Sequence, residues 1–301
     1  MIEAACWDPR LYHNYQSFGG LYVSYPCPNE FHTSISAFER YSAIRASSNR
    51  QCTLNIKLNF PDIAEAALRE CYVEALQQEI HQLARLANQC APIQQLYFSG
   101  HTHRYSPVQL ASIMNSLRNE LSVESHMLYN YRIDIDPYQM SWSDIGAIRD
   151  MGFNRTTFNL PEKSCDFRQI QTVYEAARTL QFCSISFSIP YGYPEQSLSD
   201  AELQLKKTIV LTPERITLRM HAEAEANPLL PKLLQQAIES FAAAGYGYVG
   251  MDCFALPDDD LIAAQEMGLL ACNTHTQCSY AGCDILGFGT HAVSQIGSLA
   301  Y

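Results

Sequence analysis

The sequence predicts an α/β fold and, within that class, a partial TIM-like barrel of about six β/α units. Short apolar strands alternate with amphipathic helices through most of the chain, an order that indicates right-handed βαβ units and a parallel sheet or barrel. The 301 residues suffice for one large α/β domain, and 47% hydrophobic with 17% charged residues is the composition of a core-rich protein. We expect an irregular lead-in over residues 1–20 and a single β/α domain over residues 21–301.

The first predicted strand is Leu21–Tyr25, which is ended by Pro26 and Pro28. Prolines cannot continue a ladder of hydrogen bonds, and the loops that follow barrel strands carry the active sites of such folds. The next segment, Cys52–Phe60, alternates strictly between apolar and polar residues, which predicts a half-exposed strand at an edge of the sheet. A helix over Ile63–Cys90 follows, because apolar residues recur there at steps of three and four.

The remaining strands and helices alternate in the same manner, with boundaries at Gly, Pro or capping residues. Strands are predicted over Ile93–Gly100, Met127–Asp136, Phe153–Phe158, Phe182–Ile189, Arg215–Arg219 and Tyr246–Gly250. Helices are predicted over Pro107–Leu121, Ser141–Gly152, Phe167–Leu180, Asp200–Lys207 and Leu229–Ala244. A final helix begins at Leu261, after the acidic turn Pro257–Asp260 that complements its dipole.

Charge and cysteine content restrict the class of function. The formal net charge of −11 disfavours binding to nucleic acid and to anionic membrane surfaces. No apolar run approaches the roughly 18 residues of a spanning helix, and the N-terminus has no apolar core of signal-peptide length. Eleven cysteines, an odd number, suit a reducing compartment better than a disulfide framework. We expect a cytoplasmic protein.

Chemically capable side chains stand where predicted strands end, which is where barrels build their active sites. His101 and His103 follow one strand at a spacing that suits a metal or an iron porphyrin, with solvated loop histidines as the alternative. Asp134 and Asp136 offer paired carboxylates for acid–base work, or else a structural role near a helix start. The other polar groups at such ends are His32, Asn159, Ser188, Tyr191 and Asp252.

Four residues near the C-terminus form the pattern C-x2-H-x2-C-x4-C. They are Cys272, His275, Cys278 and Cys283. Sulfur and imidazole ligands at such spacing can close a tetrahedral zinc site. The spacing matches no common zinc finger, and ordinary buried thiols are the alternative in a chain so rich in cysteine.

Six segments occur in an order that is typical of one family. They are LYVSYP from Leu21, IDIDP from Ile133, MGFNR from Met151, YGYPEQS from Tyr191, GMDCFALPDDDLIAAQEMG from Gly250 and DILGFGTHAVSQIG from Asp284. In these segments the chain resembles the oxygen-independent coproporphyrinogen III oxidase (dehydrogenase) type of radical S-adenosylmethionine (SAM) enzymes. The resemblance implies a radical-SAM-type barrel of about six β/α units, a cytoplasmic setting and a place in haem metabolism.

The same resemblance implies that the cofactor sites of that family are lost in this chain. The family holds a [4Fe–4S] cluster with three cysteines, C-x3-C-x2-C, in the loop after the first strand. At those positions this chain has Pro28, His32 and Ile35. Positions of the SAM-contacting and catalytic residues are occupied by Ser99, His101, His103, Pro161, Ser188, Thr274 and His275, while Asp134 keeps the third-strand acid in shortened form. The chain also ends at Tyr301, where the family continues into a helical C-terminal domain.

Residues and resemblance together predict a homologue without [4Fe–4S] or SAM, acting as a non-catalytic haem-, porphyrin- or metal-binding or regulatory protein. The predicted porphyrin-site residues are His101, His103, Asp134 and His275. The predicted metal ligands, for zinc above all, are His32, Cys272, His275, Cys278 and Cys283. The alternative is an active enzyme, with either an unusual cluster or acid–base chemistry at the barrel mouth. Expected partners are a porphyrin-like small molecule or a haem-pathway protein, and a homodimer is left open.

Overall fold

The computed structural model describes residues 7–10, 32, 35–49, 54–86, 93–121, 123, 129–162, 166–272, 277–278, 283–297 and 299–301. In these ranges the strands are β1 Leu54–Phe60, β2 Ile93–Gly100, β3 Asn130–Ile135, β4 Arg155–Asn159, β5 Ser184–Tyr191, β6 Arg215–Met220, β7 Gly247–Gly250, β8 Cys253–Ala255, β9 Ala271–Cys272, β10 Gln277–Cys278, β11 Asp284–Phe288, β12 Gln295–Ile296 and β13 Leu299–Ala300. The helices are α1 Ala37–Asn49, α2 Ala66–Leu86, α3 Pro107–Leu121, α4 Trp142–Asp150, α5 Phe167–Thr179, α6 Leu198–Val210, α7 Leu230–Ala243 and α8 Asp260–Glu266.

The predicted alternation of strands and helices is confirmed from β2 to α7, with boundaries that agree to within a few residues. Two serines, Ser141 and Ser143, are candidates for the N-cap of α4, and the structure places Ser141 there. Ser141 accepts a hydrogen bond from the amide of Asp144, whose carboxylate accepts the Ser141 amide at 2.8 Å. The predicted strand Leu21–Tyr25 lies outside the described residues, and α1 was not predicted, since its sequence shows no clear apolar period.

The chain divides into two compact units. One, here the β1–β4 unit, comprises residues 26–157, 176–183 and 282–301. The other, here the β5–β8 unit, comprises residues 1–25, 158–175 and 184–281.

The β1–β4 unit is built on a sheet in which β11, β1, β2 and β3 are neighbours and run parallel. The strands β12 and β13 continue this sheet beyond β11 as antiparallel neighbours. One face of the sheet is apolar and packs under helices, with Phe98 between Phe60 and Phe153 at ring-centroid distances of 5.1 and 4.9 Å. Each such buried ring contributes roughly 1.5–3 kcal/mol of transfer free energy, so this face forms the core of the unit.

The prediction that Cys52–Phe60 forms a half-exposed edge strand is wrong. β1 has a parallel neighbour on each side, since Leu54 pairs with both Asp284 and Ile93. On one face of β1, Ile56 and Leu58 are at most 1% exposed. The other face carries Asn55, Lys57 and Asn59, and is polar without lying at an edge. Strict alternation reports two chemically different faces, and it does not distinguish a solvated face from a polar interior.

In the β5–β8 unit the order of strands is β5, β6, β8, β7. β5 and β6 are parallel, whereas β6–β8 and β8–β7 are antiparallel. The predicted strand at Tyr246–Gly250 therefore exists, but it leads into a hairpin instead of a further β/α unit. Met251 and Asp252 form the turn with φ of 48° and 56°. The unit also buries an ion pair, in which Nε of Arg215 lies 2.8 Å from Oδ2 of Asp259, the N-cap of α8.

Candidate functional site

The connection from β1 to α2 is short and consists of residues 61–65, whose sequence is PDIAE. Backbone and side-chain contacts from the segment after β2 hold it. The amide of His101 donates to the Phe60 carbonyl at 2.8 Å, and the Tyr105 hydroxyl donates to the Pro61 carbonyl at 3.2 Å. The end of β1 is therefore tied directly to the end of β2.

Two arginines also hold the connection 61–65 in place. Arg104 pairs with Asp62 through an Nε–Oδ1 distance of 2.6 Å. Arg69, in the first turn of α2, donates to the carbonyls of Ile63 and Ala64 at 2.8 and 2.6 Å. Because the backbone of the connection is used in these bonds, it cannot open towards a ligand without losing several of them.

Asp134 is the acidic group at the end of β3, and its carboxylate is satisfied by the protein itself. Oδ1 accepts the Tyr97 hydroxyl at 2.8 Å, and Oδ2 accepts the Gly100 amide at 3.0 Å. The Thr102 hydroxyl donates to the backbone carbonyl of Asp134. Burial raises the pKa of Asp134, while these hydrogen bonds and the nearby Lys57 oppose the shift. The carboxylate of Asp134, a predicted site residue, therefore links β3 to β2.

Lys57 stands next to Asp134 on the polar face of the sheet. The register aligns Lys57 of β1 with Tyr97 of β2 and Tyr97 with Arg132 of β3. Nζ of Lys57 lies 5.5 Å from the centroid of the Tyr97 ring, and Cζ of Arg132 lies 5.9 Å from the same centroid. Burial lowers the pKa of Lys57 to about 8, and the charge of Asp134 acts against that shift.

His101 and His103 lie in the loop after β2, with ring centroids 5.7 Å apart. His101 is exposed and His103 half-buried. Burial lowers the pKa of His103, and the charge of Asp136 opposes this. The neutral imidazole, which is the form that binds metals, is therefore favoured at His103.

His103 also lines a cavity of about 260 Å³. The cavity lies among the loop after β2 and the first turns of α2, α3 and α4, and Arg69 and Arg104 are among the residues that line it. Its volume is near the lower limit of ordinary ligand sites, roughly 300–1,000 Å³.

The structure separates the other predicted residues. Asp136 accepts the Tyr138 amide at 2.9 Å in the turn after β3, which favours the structural alternative for that carboxylate. His32 is exposed, and its backbone amide donates to Ala300. Cys283 is half-buried. His275 and the side chains of Cys272 and Cys278 lie outside what the structure describes.

In the β5–β8 unit, the predicted polar residues lie in segments held by hydrogen bonds within the protein. The carbonyl of Ser188 accepts the Leu160 amide at 3.0 Å, and the carbonyl of Asp252 accepts the Leu218 amide at 2.9 Å. Tyr191 is buried, and Asn159 is half-buried at the end of β4. In the YGYPEQS motif, the side chain of Gln196 accepts the Gly192 amide at 2.6 Å, a contact that shapes the turn.

Sequence reasoning missed Lys57, Tyr97, Arg132 and Arg69 as site residues. A signal was present for the first, since Asn55, Lys57 and Asn59 alternate with apolar residues in Leu54–Phe60. The alternation predicts a solvent-facing side. The local sequence gives no sign of the neighbouring strand β11, because that strand comes from the far end of the chain.

Two features are absent from the residues that the structure describes. No helix among them is both long and apolar enough to cross a membrane. No three His, Cys, Asp or Glu side chains among them are grouped closely enough to hold a metal ion.

Comparison with known proteins finds oxygen-independent coproporphyrinogen III oxidases among the relatives of this chain. No family model matches the chain. The oxygen-independent coproporphyrinogen III oxidase of Pseudomonas aeruginosa is 32% identical over 339 residues, covering 99% of this chain and 74% of that protein. The protein of the same name from Escherichia coli K12 is 27% identical over 335 residues, covering 98% of this chain and 72% of that protein.

A solved structure agrees with these sequence relatives. Coproporphyrinogen III oxidase from Escherichia coli, described as a radical SAM enzyme, matches with a TM-score of 0.86 at 24% identity, covering 98% of this chain and 74% of that one. This confirms the predicted fold class, an α/β partial barrel of the radical SAM type. Because a relative is 32% identical over 99% of this chain and 74% of its own length, the chain belongs to the oxygen-independent coproporphyrinogen III oxidase family.

Proposed function

We propose that this chain is a haem- or porphyrin-binding member of the family that works without a [4Fe–4S] cluster or SAM and is not a radical enzyme. The observation that carries the proposal is the set of residues at the cluster positions that the resemblance implies, Pro28, His32 and Ile35, in the loop after the predicted strand Leu21–Tyr25. The connection 61–65, which follows the first parallel strand that the structure describes, offers no replacement for the missing thiolates. The sequence PDIAE contains no cysteine and is shorter than a C-x3-C-x2-C motif.

The donors present do not fit a cluster. Iron–sulfur clusters are held by thiolates, and carboxylate or backbone groups of PDIAE do not replace them. Pro28 and Ile35, which the resemblance placed at cluster positions, carry no donor atom in their side chains. The connection 61–65 is also fixed by Arg69, Arg104 and Tyr105, whose contacts occupy the space after β1.

The contacts of Asp134 support the same proposal for SAM. Both carboxylate oxygens already accept a hydrogen bond, one from Tyr97 and one from Gly100, so part of the acceptor capacity of this buried group is used by the protein. The loop that would approach the cofactor carries the imidazoles of His101 and His103 in place of bare backbone.

A haem or porphyrin fits the groups around the cavity. His103 is half-buried and lines the cavity, and burial lowers its pKa, which favours the neutral imidazole that would bind iron. Arg69 and Arg104 line the same cavity. The guanidinium nitrogens that do not bind Ile63, Ala64 or Asp62 would be the donors to the carboxylates of the ring. With about 260 Å³ the cavity takes an edge of the macrocycle, and the rest of the ring would lie against the loop that holds His101.

The first test is anaerobic reconstitution with iron and sulfide, with the Pseudomonas aeruginosa relative treated in parallel. The relative should gain a broad absorption near about 400 nm and this chain should not. A stoichiometric cluster in this chain would refute the proposal and favour the alternative of a radical enzyme. Metal analysis of the untreated sample measures zinc and so tests the predicted ligands from Cys272 to Cys283.

The second test is a titration of the purified chain with haem and with coproporphyrin. We expect a shift of the Soret band on adding haem, and a loss of that shift in His103→Ala. His81→Ala is the matched control, because His81 is exposed and pairs with Glu120 at 2.9 Å, away from the cavity. An unchanged spectrum in the parent chain, or equal effects of the two substitutions, would contradict binding at the cavity.

A second form of the same proposal is that the chain regulates a haem-pathway protein by direct contact. Cytoplasmic location and formation of a homodimer both stay predictions. An active enzyme without a cluster is the alternative. The observation that favours it is the half-buried Lys57 beside Asp134.

A further inference from the structure

The ion pair between Arg104 and Asp62 joins a residue that lines the cavity to a residue that does not. Arg104 is one of the residues around the cavity of about 260 Å³, whereas Asp62 belongs to the connection 61–65. Nε of Arg104 donates to Oδ1 of Asp62 at 2.6 Å. The two side chains are 43% and 47% exposed. Exposed ion pairs of this kind add little to stability, so this pair can be exchanged for another at low cost.

The pair uses only part of the binding capacity of the guanidinium group. An arginine binds a carboxylate best through two parallel N–H···O bonds, in which two of its nitrogens donate side by side. Between Arg104 and Asp62 there is one such bond, and it comes from Nε. A carboxylate that accepted two bonds would therefore be held by Arg104 more strongly than Asp62 is.

The backbone around Asp62 is held in place by other contacts. The carbonyl of Pro61 accepts the Tyr105 hydroxyl at 3.2 Å. Arg69 donates to the two carbonyls that follow Asp62, at 2.8 and 2.6 Å. Because the connection is fixed on both sides, Asp62 cannot follow Arg104 if the arginine turns towards an occupant of the cavity. The ion pair would then break.

The positive groups around Asp62 favour a negative charge at its position. The hydrogen bond from Arg104 has the largest effect and lowers the pKa of Asp62, and the charges of His101 and His103 act in the same direction. A ligand carboxylate that replaced Asp62 at Arg104 would meet the same cations. The loop after β2 therefore offers a position for an anion, and in the free chain Asp62 occupies it.

We propose that Asp62 is a resident carboxylate that competes with the ligand for Arg104, and that a carboxylate-bearing ligand replaces this ion pair when it binds. The inference rests on the proposed function, because it takes the cavity as the place where a carboxylate of the porphyrin binds. It adds that the free chain occupies its own anion position and thereby lowers its affinity for the ligand. The exchange leaves Asp62 in contact with water, since its side chain is 47% exposed.

The first test measures the dissociation constant of coproporphyrin by fluorescence in the parent chain, in Asp62→Asn and in Glu120→Gln. Asp62→Asn should bind about two- to fivefold more tightly, because the ligand no longer displaces a carboxylate. Glu120→Gln removes one negative charge as well, but Glu120 is exposed, pairs with His81 and does not line the cavity. At about 150 mM salt this control should change the affinity by less than about 1.5-fold.

Unchanged or weaker binding in Asp62→Asn would overturn the proposal, since it would show that Asp62 orients Arg104 for the ligand. The gain must also depend on Arg104. Arg104→Gln should weaken binding severalfold, and adding Asp62→Asn to that variant should give no further gain. An equal gain with and without Arg104 would mean that the lost charge acts at long range, which would contradict the exchange.

A second arm needs no porphyrin and uses phenylglyoxal, which modifies arginine side chains, with peptide mass spectrometry as the readout. Arg104 should react severalfold faster in Asp62→Asn than in the parent chain, whereas the exposed Arg85 should react at the same rate in both. Succinate, a small dicarboxylate, should protect Arg104 at a lower concentration in Asp62→Asn than in the parent.

The two arms separate this inference from the proposed function. Protection by succinate in a chain that does not bind coproporphyrin would refute the porphyrin ligand and leave the exchange at Arg104 standing. Binding of coproporphyrin by a chain in which Arg104 reacts equally with and without Asp62 would refute the exchange alone.

Discussion

At the scale of single residues, Lys57 makes stability depend on pH in a defined window. Its pKa is about 8 in the folded chain and about 10.4 in an unfolded one. Between these values the unfolded state binds more protons, so the free energy of unfolding rises with pH, by up to about 3 kcal/mol across the window. Below pH 8 both states are protonated and the cost of the buried charge is constant.

Urea denaturation of the parent chain and of Lys57→Met from pH 7 to pH 10.5 checks this expectation. The parent should gain stability relative to the variant as pH rises through the window. Lys206→Met, which changes an exposed lysine, should give a difference that does not vary with pH. Parallel pH profiles for the parent and Lys57→Met would show that the amine is not held in a low-dielectric environment.

The contrast between His103 and Lys57 shows which site residues a sequence reveals. His103 and Asp134 were predicted because they follow apolar strands, and in a β/α fold that position alone places them at one end of the sheet. Lys57 lies inside a strand, and its surroundings come from β2 and from β11, which follows more than two hundred residues later. No local pattern carries that information, so an interior lysine and a solvated one have the same sequence signature.

At the scale of elements, the contact between the ends of β1 and β2 depends on Gly100. Its φ is +96°, and a Cβ atom there would lie 2.5 Å from the carbonyl oxygen of Phe60. The same oxygen accepts the His101 amide. We expect Gly100→Ala to destabilise the fold by about 2–3 kcal/mol, through backbone strain and displacement of the connection 61–65.

The matched control is Gly146→Ala in α4, where a Cβ atom would meet nothing within 4 Å. Because alanine is the better helix former, this variant should be more stable by about 0.5–1 kcal/mol. Thermal and urea unfolding of both variants measure the two effects. If Gly100→Ala were as stable as the parent, the ends of β1 and β2 would not be in the close contact described above.

Helices and strands were predicted well where the local sequence has a clear pattern of apolar residues. They were predicted poorly where strand pairing determines the position or direction of the element in the sheet. The helix α3 was predicted at its observed bounds, Pro107–Leu121, from its proline start and apolar spacing. The central position of β1 and the antiparallel hairpin of β7 and β8 were not predicted. In both cases tertiary packing selects the partner strand, since the local sequence of a strand does not specify which strand it pairs with.

At the scale of the whole molecule, family membership and the local chemistry give different information. The fold is shared with a solved relative at a TM-score of 0.86, yet the connection after β1 contains none of the thiolates that a cluster needs. A shared architecture does not by itself extend the relative's chemistry to this chain. What the chain binds has to be argued from groups such as His103, Arg69 and Lys57, and from the charge of the molecule around them.

That charge gives a final prediction, which rests on the proposed binding of porphyrins. The net charge is −11, so an anionic porphyrin approaches against a repulsive field until it comes within reach of Arg69 and Arg104. Salt screens the long-range repulsion more than the short contacts, because the Debye length falls to about 8 Å near physiological ionic strength. The association rate constant of coproporphyrin should therefore rise severalfold between about 20 mM and about 150 mM salt. Stopped-flow fluorescence measures it, and a rate that falls with salt would mean that local cations, and not the net charge, govern the approach.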